Sequence, residues 1–371
     1  MPTAFSGNSV ATDVQKEGRT TAAKIECRGL APGEEAAYLQ FAGQAFGRDW
    51  PQADPLFLRW LYQENPNTRG IARDLLVLMD NGRVVGAHHR MRLPWLLNGK
   101  PCIVPSVHDL SVLPAYRKVA SEQRLTPPGL RIMLAALEEE THVGLFGLVE
   151  VVDQIYDRLR VPAVKLFWLE KIRSRIHAGL QLATSRVGLK PHKVAPIERQ
   201  TTRVGDCEII RIPSPHDDEI SEALSLKPQA QSYPDWDLAS YRWRFFHELG
   251  PRNVLFLVRR KSETVARAVV SLGLKKGVLL GRIVDLVFKD GDCLPHPVAA
   301  IDHTFDELRV PVSLAVASSQ DVANALRAAG WRDRKQNVGA RWYSTRGAEL
   351  PQDLWLTGGA WDFGCDVKSG D

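Results

Sequence analysis

Glu138 stands four residues before His142, and His303 four before Glu307. That spacing can set an imidazole beside a carboxylate, the beginning of a metal site. In neither case does a second His or Cys nearby complete a ligand set, so no metal is expected. The five cysteines, Cys27, Cys102, Cys207, Cys293 and Cys365, are scattered and odd in number, and no CxxC pair exists. That pattern argues against a zinc ribbon and against a disulfide framework. The motifs HExxH, GxSxG, the Walker loop and GxGxxG are missing from the sequence, which removes the commonest signatures of zincins, serine hydrolases and nucleotide folds. His108-Asp109 places an imidazole next to a carboxylate. Neighbours on a strand point to opposite faces, so only one of the two is expected to reach a given site.

The chain has 371 residues, 44% hydrophobic and 25% charged. At roughly 150 residues per domain this predicts two domains with sizeable cores. The net charge is +5, a mild and dispersed excess that fits an anionic cofactor or substrate but not nucleic acid. No apolar run approaches the ~20 residues of a membrane helix. Met1 to Thr21 is polar and lacks the apolar core of a secretion signal. The expectation is a cytoplasmic protein with no nucleic-acid and no membrane partner; the oligomeric state is left open.

The elements that would position any chemistry follow from pattern. A strand is expected over Lys24 to Leu30, then a helix opened by Pro32-Gly33-Glu34-Glu35, with acids where the helix dipole favours them. Asp54-Pro55 starts a second helix as cap and first residue, and Asn65-Pro66 ends it. Two apolar runs flank Asp80-Asn81-Gly82, a strong hairpin signal. A third strand spans about Ile103 to Leu113. There follow a helix from Leu130 to Glu140, a strand from Val143 to Val149, a short helix from Asp153 to Leu159 and a strand from Val164 to Leu169. Glu138-Glu139-Glu140 reads as a solvated helix end. Residues 171–205 are basic and weakly patterned, and are read as the connection between domains.

The second half repeats the order. It runs from an aromatic helix, Asp237 to Phe246, through strands at Val254–Val258, Val265–Val270 and Leu279–Phe288. A helix near Val298–Leu308, a strand Val312–Val316, a helix Gln320–Ala329 and a strand Val338–Tyr343 complete it. Leu58-Arg59-Trp60 aligns with Tyr241-Arg242-Trp243, and His108-Asp109-Leu110-Ser111-Val112 with Val284-Asp285-Leu286-Val287-Phe288. A repeat of roughly 180 residues means a duplicated domain, not a solenoid.

Each half resembles the GCN5-related N-acetyltransferase (GNAT) fold, over about 24–170 and 206–345. Asp109-Leu-Ser-Val-Leu-Pro-Ala-Tyr-Arg117 is similar to the family's V-x-P-x-Y-R strand end, and Gly129-Leu130-Arg131-Ile-Met-Leu134 to its G-[IL]-G-x-x-L helix start. Ile155-Tyr156-Asp157-Arg158-Leu159 and Asn324 to Trp331 resemble the family's later helix and its ending. The fold class implied is α/β (α+β): two tandem GNAT-like domains, each a mixed, mostly antiparallel sheet flanked by helices. The expected layout is a disordered lead 1–22, domains 23–172 and 206–346, a linker 173–205 and a tail 347–371.

The resemblance implies an acyl-coenzyme A co-substrate, acetyl-CoA or another acyl-CoA. Its pyrophosphate would meet Arg117 and the helix start at Gly129, Leu130 and Arg131, where free N–H groups and the dipole favour anions. Its pantetheine arm would lie along Leu110 and Val112 as an added strand. The family places a tyrosine where Tyr156 stands, to protonate the leaving thiolate. Candidates for the base that frees the amine are Asp109, His108 and Glu150. The family's R-x-x-G-x-G spacing is not kept: Arg117 is followed by Lys118-Val119-Ala120-Ser121-Glu122 without glycine. Either an insertion displaces the loop or the loop is altered. The second half lacks any Arg-Gly loop, so only the first half is expected to bind acyl-CoA.

The function implied is acyl transfer, most simply acetyl transfer, to a primary amine of a sugar or small metabolite by direct attack in a ternary complex. Two alternatives stand beside it: a catalytically degenerate ligand-binding or scaffold protein, and a FemAB-like aminoacyl transferase.

Overall fold

A computed structural model describes residues 25–47, 50–117, 127–187, 196–275, 277–334, 338–345 and 350–360. The lead 1–22, the segment Lys118–Glu122 and the end of the tail lie outside the described residues. The strands are β1 Glu26–Gly29, β2 Leu75–Asp80, β3 Arg83–Leu97, β4 Lys100–Val112, β5 His142–Val149, β6 Phe167–Ile172, β7 Gln200–Val204 and β8 Cys207–Ile212. They continue as β9 Tyr233–Pro234, β10 Arg252–Arg260, β11 Glu263–Lys275, β12 Val278–Phe288, β13 Val312–Ala317, β14 Arg332–Asp333 and β15 Val338–Ser344. The helices are α1 Glu35–Ala45, α2 Pro55–Tyr62, α3 Ile71–Asp74, α4 Pro128–Leu137, α5 Glu150–Arg158, α6 Arg175–Arg186, α7 Asp217–Ser225, α8 Leu238–Tyr241, α9 Pro295–Glu307 and α10 Gln320–Ala328.

Two mixed sheets result. One has the order β1-β2-β3-β4-β5-β15, with β9 added to β3; the other runs β14-β6-β13-β12-β11-β10-β8-β7. Within each, one internal pair is parallel, β4 with β5 and β12 with β13, and the other pairs along the order are antiparallel. The expected architecture of two mostly antiparallel sheets flanked by helices is therefore observed. Local chemistry explains the element ends. Asp54 caps α2 by accepting from the Leu56 N–H at 2.8 Å, and Pro55 costs no hydrogen bond at the first position. Asn81 and Gly82 both adopt positive φ in the β2–β3 turn, as a tight hairpin turn demands.

The two sheets are not built from one half each. After α5 the chain leaves the first sheet, and β6 pairs with β13 of the second. The last strand, β15, returns to pair with β5 of the first. Each exchanged strand is held by charge: Lys171 on β6 meets Asp302 of α9 at 2.8 Å, and Arg341 on β15 meets Asp153 of α5 at 2.6 Å. Strand exchange makes the core of either half depend on the other.

Three readings of the sequence are corrected. The connection 173–205 contains α6 and β7 and extends the second sheet, because β7 pairs with β8. Glu140 is not solvated. It is 5% exposed and faces Arg92 through bonds of 2.5 and 3.2 Å, while Asp74 holds the Arg92 Nε at 2.7 Å. A buried guanidinium requires such pairing, and helix periodicity cannot announce it. The aromatic helix Asp237 to Phe246 is α-helical only through Tyr241; Arg242–Phe246 widens to a π-turn.

Candidate functional site

β4 and β5 pair only at Ser106–Gly144 and Val107–Leu145. Beyond these residues they diverge, because β4 continues along β3 while β5 follows β15. Among the described residues no strand pairs with the facing edges of this wedge. The Leu113 N–H donates to Val85 on β3, so by strand alternation the Val112 N–H and C=O face the wedge. Arg117 reaches the same edge: its Nε donates to the Val112 carbonyl at 2.9 Å.

The matching wedge of the second half is filled. β12 and β13 separate after Ile283 and Ala315. Residues Leu354–Ala360 run between them, with Ala317 bridging Thr357 and the Ser318 N–H donating to Leu356 at 3.0 Å. The Arg244 Nε donates to the Gly359 carbonyl at 3.2 Å. A Cβ on Gly359 would lie 2.7 Å from the Phe245 ring and 2.9 Å from the Val284 carbonyl oxygen, so only glycine fits there. The described part of the expected tail is thus a packed element.

At the mouth of the first wedge a β-bulge shifts the register between Ala87 and His89 on β3. Asp109 takes a positive φ of 54°, which is rare for a non-glycine residue inside a strand. The bulge cancels the alternation expected from sequence. His108 and Asp109 do not point apart; His108 Nδ1 lies 2.8 Å from Asp109 Oδ2. The Gln52 Nε2 donates to the same oxygen at 2.6 Å. Burial pushes the Asp109 carboxyl up, but the charge and hydrogen bond of His108, with help from His89 and Gln52, hold it below its ordinary value.

Beneath this pair lies a buried aromatic floor. His108 stacks on His89 with centroids 5.4 Å apart. His89 meets Tyr38 OH through Nε2 and Tyr62 OH through Nδ1, each at 2.7 Å. The Tyr62 hydroxyl also donates to the Asp74 carbonyl at 3.3 Å. This assigns the tautomer: His89 Nδ1–H donates to Tyr62, and Tyr38 donates to Nε2. His88 and His89 are neighbours on β3, and both are buried because helices cover both faces of the sheet. Desolvation by burial lowers both imidazoles to about 3, so both are neutral. The sequence reading missed Gln52 as the partner of Asp109, and Tyr38 and Tyr62 as the partners of His89 beneath it. Their separations of 27 to 57 residues along the chain leave no local signal.

The remaining predicted residues divide into two groups. Leu110 and Val112 lie on the splayed end of β4, and Gly129 sits against it, a Cβ there falling 3.9 Å from Val112 Cγ2. Leu130 follows in the first turn of α4. Arg131 points elsewhere and donates to the Ile25 carbonyl at 2.8 Å. The start of α4 is Pro127-Pro128; neither residue has an N–H, which leaves Gly129 and Leu130 as the free donors of the first turn. Tyr156, on α5, is buried, and its hydroxyl has no hydrogen-bond partner among the described residues. Desolvation raises its pKa well above that of an ordinary phenol. Glu150 is exposed at the start of α5, where its carboxylate accepts from Gln154 at 3.4 Å, and it does not join the His108–Asp109 cluster. Among the described residues no group of His, Cys, Asp and Glu is arranged to hold a metal ion.

No protein-family model matches the chain, and no curated protein matches it in sequence. Solved structures do match in shape. N-myristoyltransferase of Saccharomyces cerevisiae, solved with bound myristoyl-CoA, superposes with a TM-score of 0.54 at 11% identity, covering 93% of this chain and 92% of that one. A GCN5-related N-acetyltransferase of Kribbella flavida gives 0.50 at 14% identity, over 86% and 70%. A probable N-acyltransferase of Enterococcus faecalis gives 0.50 at 9%, over 86% and 71%. These matches show that the chain has the GNAT fold, and the splayed β4–β5 pair and its repetition at β12–β13 show that the fold is present twice.

Proposed function

We propose that the chain is an acyl-CoA-dependent N-acyltransferase with one active site, in the first half. The observation that carries this reading is the contrast between the two wedges. One presents a β4 edge at Val112 that pairs with no strand among the described residues, its carbonyl met only by the Arg117 side chain, and the other is occupied by the chain's own Leu354–Ala360. The pantetheine arm would add to the β4 edge as a strand. The Val112 N–H would polarise the thioester carbonyl. Arg117, at the rim, and the N–H groups of Gly129 and Leu130 would meet the pyrophosphate.

The acceptor would be a primary amine of a sugar or small metabolite. The His108–Asp109 pair would take its proton as the nitrogen attacks the thioester carbon; the C–S bond then breaks and the thiolate leaves. Tyr156 would serve the thiolate as a hydrogen-bond donor. Its raised pKa makes full proton transfer from a buried phenol costly, so stabilisation of the sulfur suits it better than ionisation. Acetyl is the simplest acyl group, and the shape match to an enzyme with bound myristoyl-CoA brings longer chains into the same test. The protein is proposed to act in the cytoplasm; no helix among the described residues is long and apolar enough to cross a membrane.

One observation favours the degenerate reading. The Pro127-Pro128 start and the commitment of Arg131 to Ile25 leave fewer anion contacts than a glycine-rich loop provides. Calorimetric titration with acetyl-CoA and longer acyl-CoAs decides between them. Micromolar binding at one site per chain, lost in Gly129→Asp, is expected of the enzyme. Absence of binding to every acyl-CoA sinks the acyltransferase and leaves a ligand-binding or scaffold protein.

A further inference from the structure

The helix α6 has no buried residue anywhere along Arg175–Arg186, which sets it apart from a helix that closes a core. One side is pinned to the body of the protein. Gln181 Oε1 accepts the Leu279 N–H at 2.9 Å, and Ala178, Gln181 and Leu182 are half-buried. The opposite side is thereby fixed outward. It carries Ile176, Leu180, Ala183 and Val187 at successive spacings of four, three and four, which is one continuous stripe. Ile176 is 76% exposed, Leu180 57% and Val187 72%. Solvated aliphatic residues in line on one helix face are a feature that needs a partner.

Charge says what that partner is. From Lys171 to Ile197 the sequence holds no Asp or Glu. Lys171 and Arg173, before the helix, are clasped by Asp302. Arg175 and Arg186, on α6 itself, are exposed and meet no carboxylate among the described residues. A second copy of the same helix would bring arginine against arginine with no acid to separate them. An anionic lipid surface offers both what the stripe and what the arginines lack, an apolar layer beneath a layer of negative charge.

We propose that α6 is an interfacial helix that seats this protein on anionic membrane surfaces, its apolar stripe entering the headgroup boundary and Arg175 and Arg186 meeting lipid phosphates. This departs from the expectation of no membrane partner, which rested on the lack of a spanning segment and a secretion signal. It is independent of the acyl-transfer reading.

The test is co-sedimentation of the full chain with vesicles of pure phosphatidylcholine and of phosphatidylcholine mixed with phosphatidylserine. Binding to the mixed vesicles alone, weakened by salt, is expected. Arg175→Glu with Arg186→Glu lowers partitioning by roughly 30-fold or more, at about a five-fold effect per lost arginine. The variant Ile176→Ser, Leu180→Ser abolishes it while leaving circular dichroism and melting temperature unchanged, since neither residue contributes to the core. The proposal is overturned if wild type ignores the mixed vesicles, if it binds pure phosphatidylcholine equally, or if both variants still bind. It is also overturned if the chain is a lipid-free dimer in light scattering that these variants dissociate, because the stripe then belongs to a second copy.

Discussion

Trp60 and Trp243 stack with ring centroids 5.0 Å apart, and each indole N–H donates to the other's backbone carbonyl, at 3.2 and 2.7 Å. The reciprocity is the mark of a two-fold relation between the halves, since each residue does to its partner what its partner does to it. Both rings are buried. The duplicated halves are therefore joined at a symmetric centre, as well as by their exchanged strands.

Trp60→Ala or Trp243→Ala is expected to cost about 3–5 kcal/mol in urea unfolding, the range for removing a large buried aromatic. The two effects are non-additive, because each variant removes the stack shared by both rings and leaves the other residue's backbone carbonyl without its indole donor. A double variant that loses the full sum of the singles contradicts this coupling.

Glu140→Ala leaves Arg92 with Asp74 alone and is expected to destabilise by about 3–5 kcal/mol, as breaking one partner of a buried pair does. Replacing a partner with a hydrophobic residue does not isolate that effect. Arg92→Met combined with Glu140→Leu and Asp74→Asn costs less than Glu140→Ala, since it removes the guanidinium together with both carboxylates that face it. The comparison is read from denaturant midpoints, and equal losses speak against an uncompensated charge.

Acid sensitivity follows from His88 and His89. Both titrate near 3 when folded, against 6.5 as their ordinary value. Between these limits the unfolded chain binds protons that the folded chain refuses. Stability is therefore full above the unfolded value and falls as pH drops from about 6.5 towards 3, at roughly 2–3 kcal/mol per pH unit for the pair between pH 6 and 4. Asp109 acts lower: its pKa is depressed in the fold, so its contribution is kept above the ordinary carboxylate value and lost only below it. A urea midpoint that stays flat from pH 7 to pH 4 counts against buried neutral histidines.

Gly359→Val places side-chain atoms where the Phe245 ring and the Val284 carbonyl stand. It is expected to displace Leu354–Ala360 from the second wedge, which limited proteolysis detects as early cleavage beyond β15. Continued protection of that segment means that the wedge accommodates the side chain. Calorimetry on the same variant asks whether the emptied wedge takes up acyl-CoA; the acidic stretch Lys289 to Asp292 and Pro295 before α9 predict that it does not.

Asp109→Asn removes the charge that faces His108 while keeping the bond from Gln52 within reach. If the pair takes the proton from the amine, kcat falls by about 100-fold or more, the usual size of general-base catalysis, and acyl-CoA binding is unchanged. A variant with full activity assigns the proton to another group.

Element order was legible because it rests on local physics. Asp54-Pro55 starts a helix and Asn81-Gly82 turns a hairpin wherever they occur, and apolar runs of strand length recur in the same order in both halves. That order points to the duplicated fold, and the same alignment sets Trp60 against Trp243. What tertiary structure alone decided is every relation between residues distant in the chain. Strand patterns carry no label for the sheet they join, so the exchange of β6 and β15 is invisible in sequence. Alternation assumes a regular strand, and the bulge at Asp109 breaks it, bringing His108 and Asp109 together. Burial of Glu140 depends on Arg92, which lies 48 positions away. The partners of buried polar groups are set by where the backbone returns, and only the folded chain fixes that.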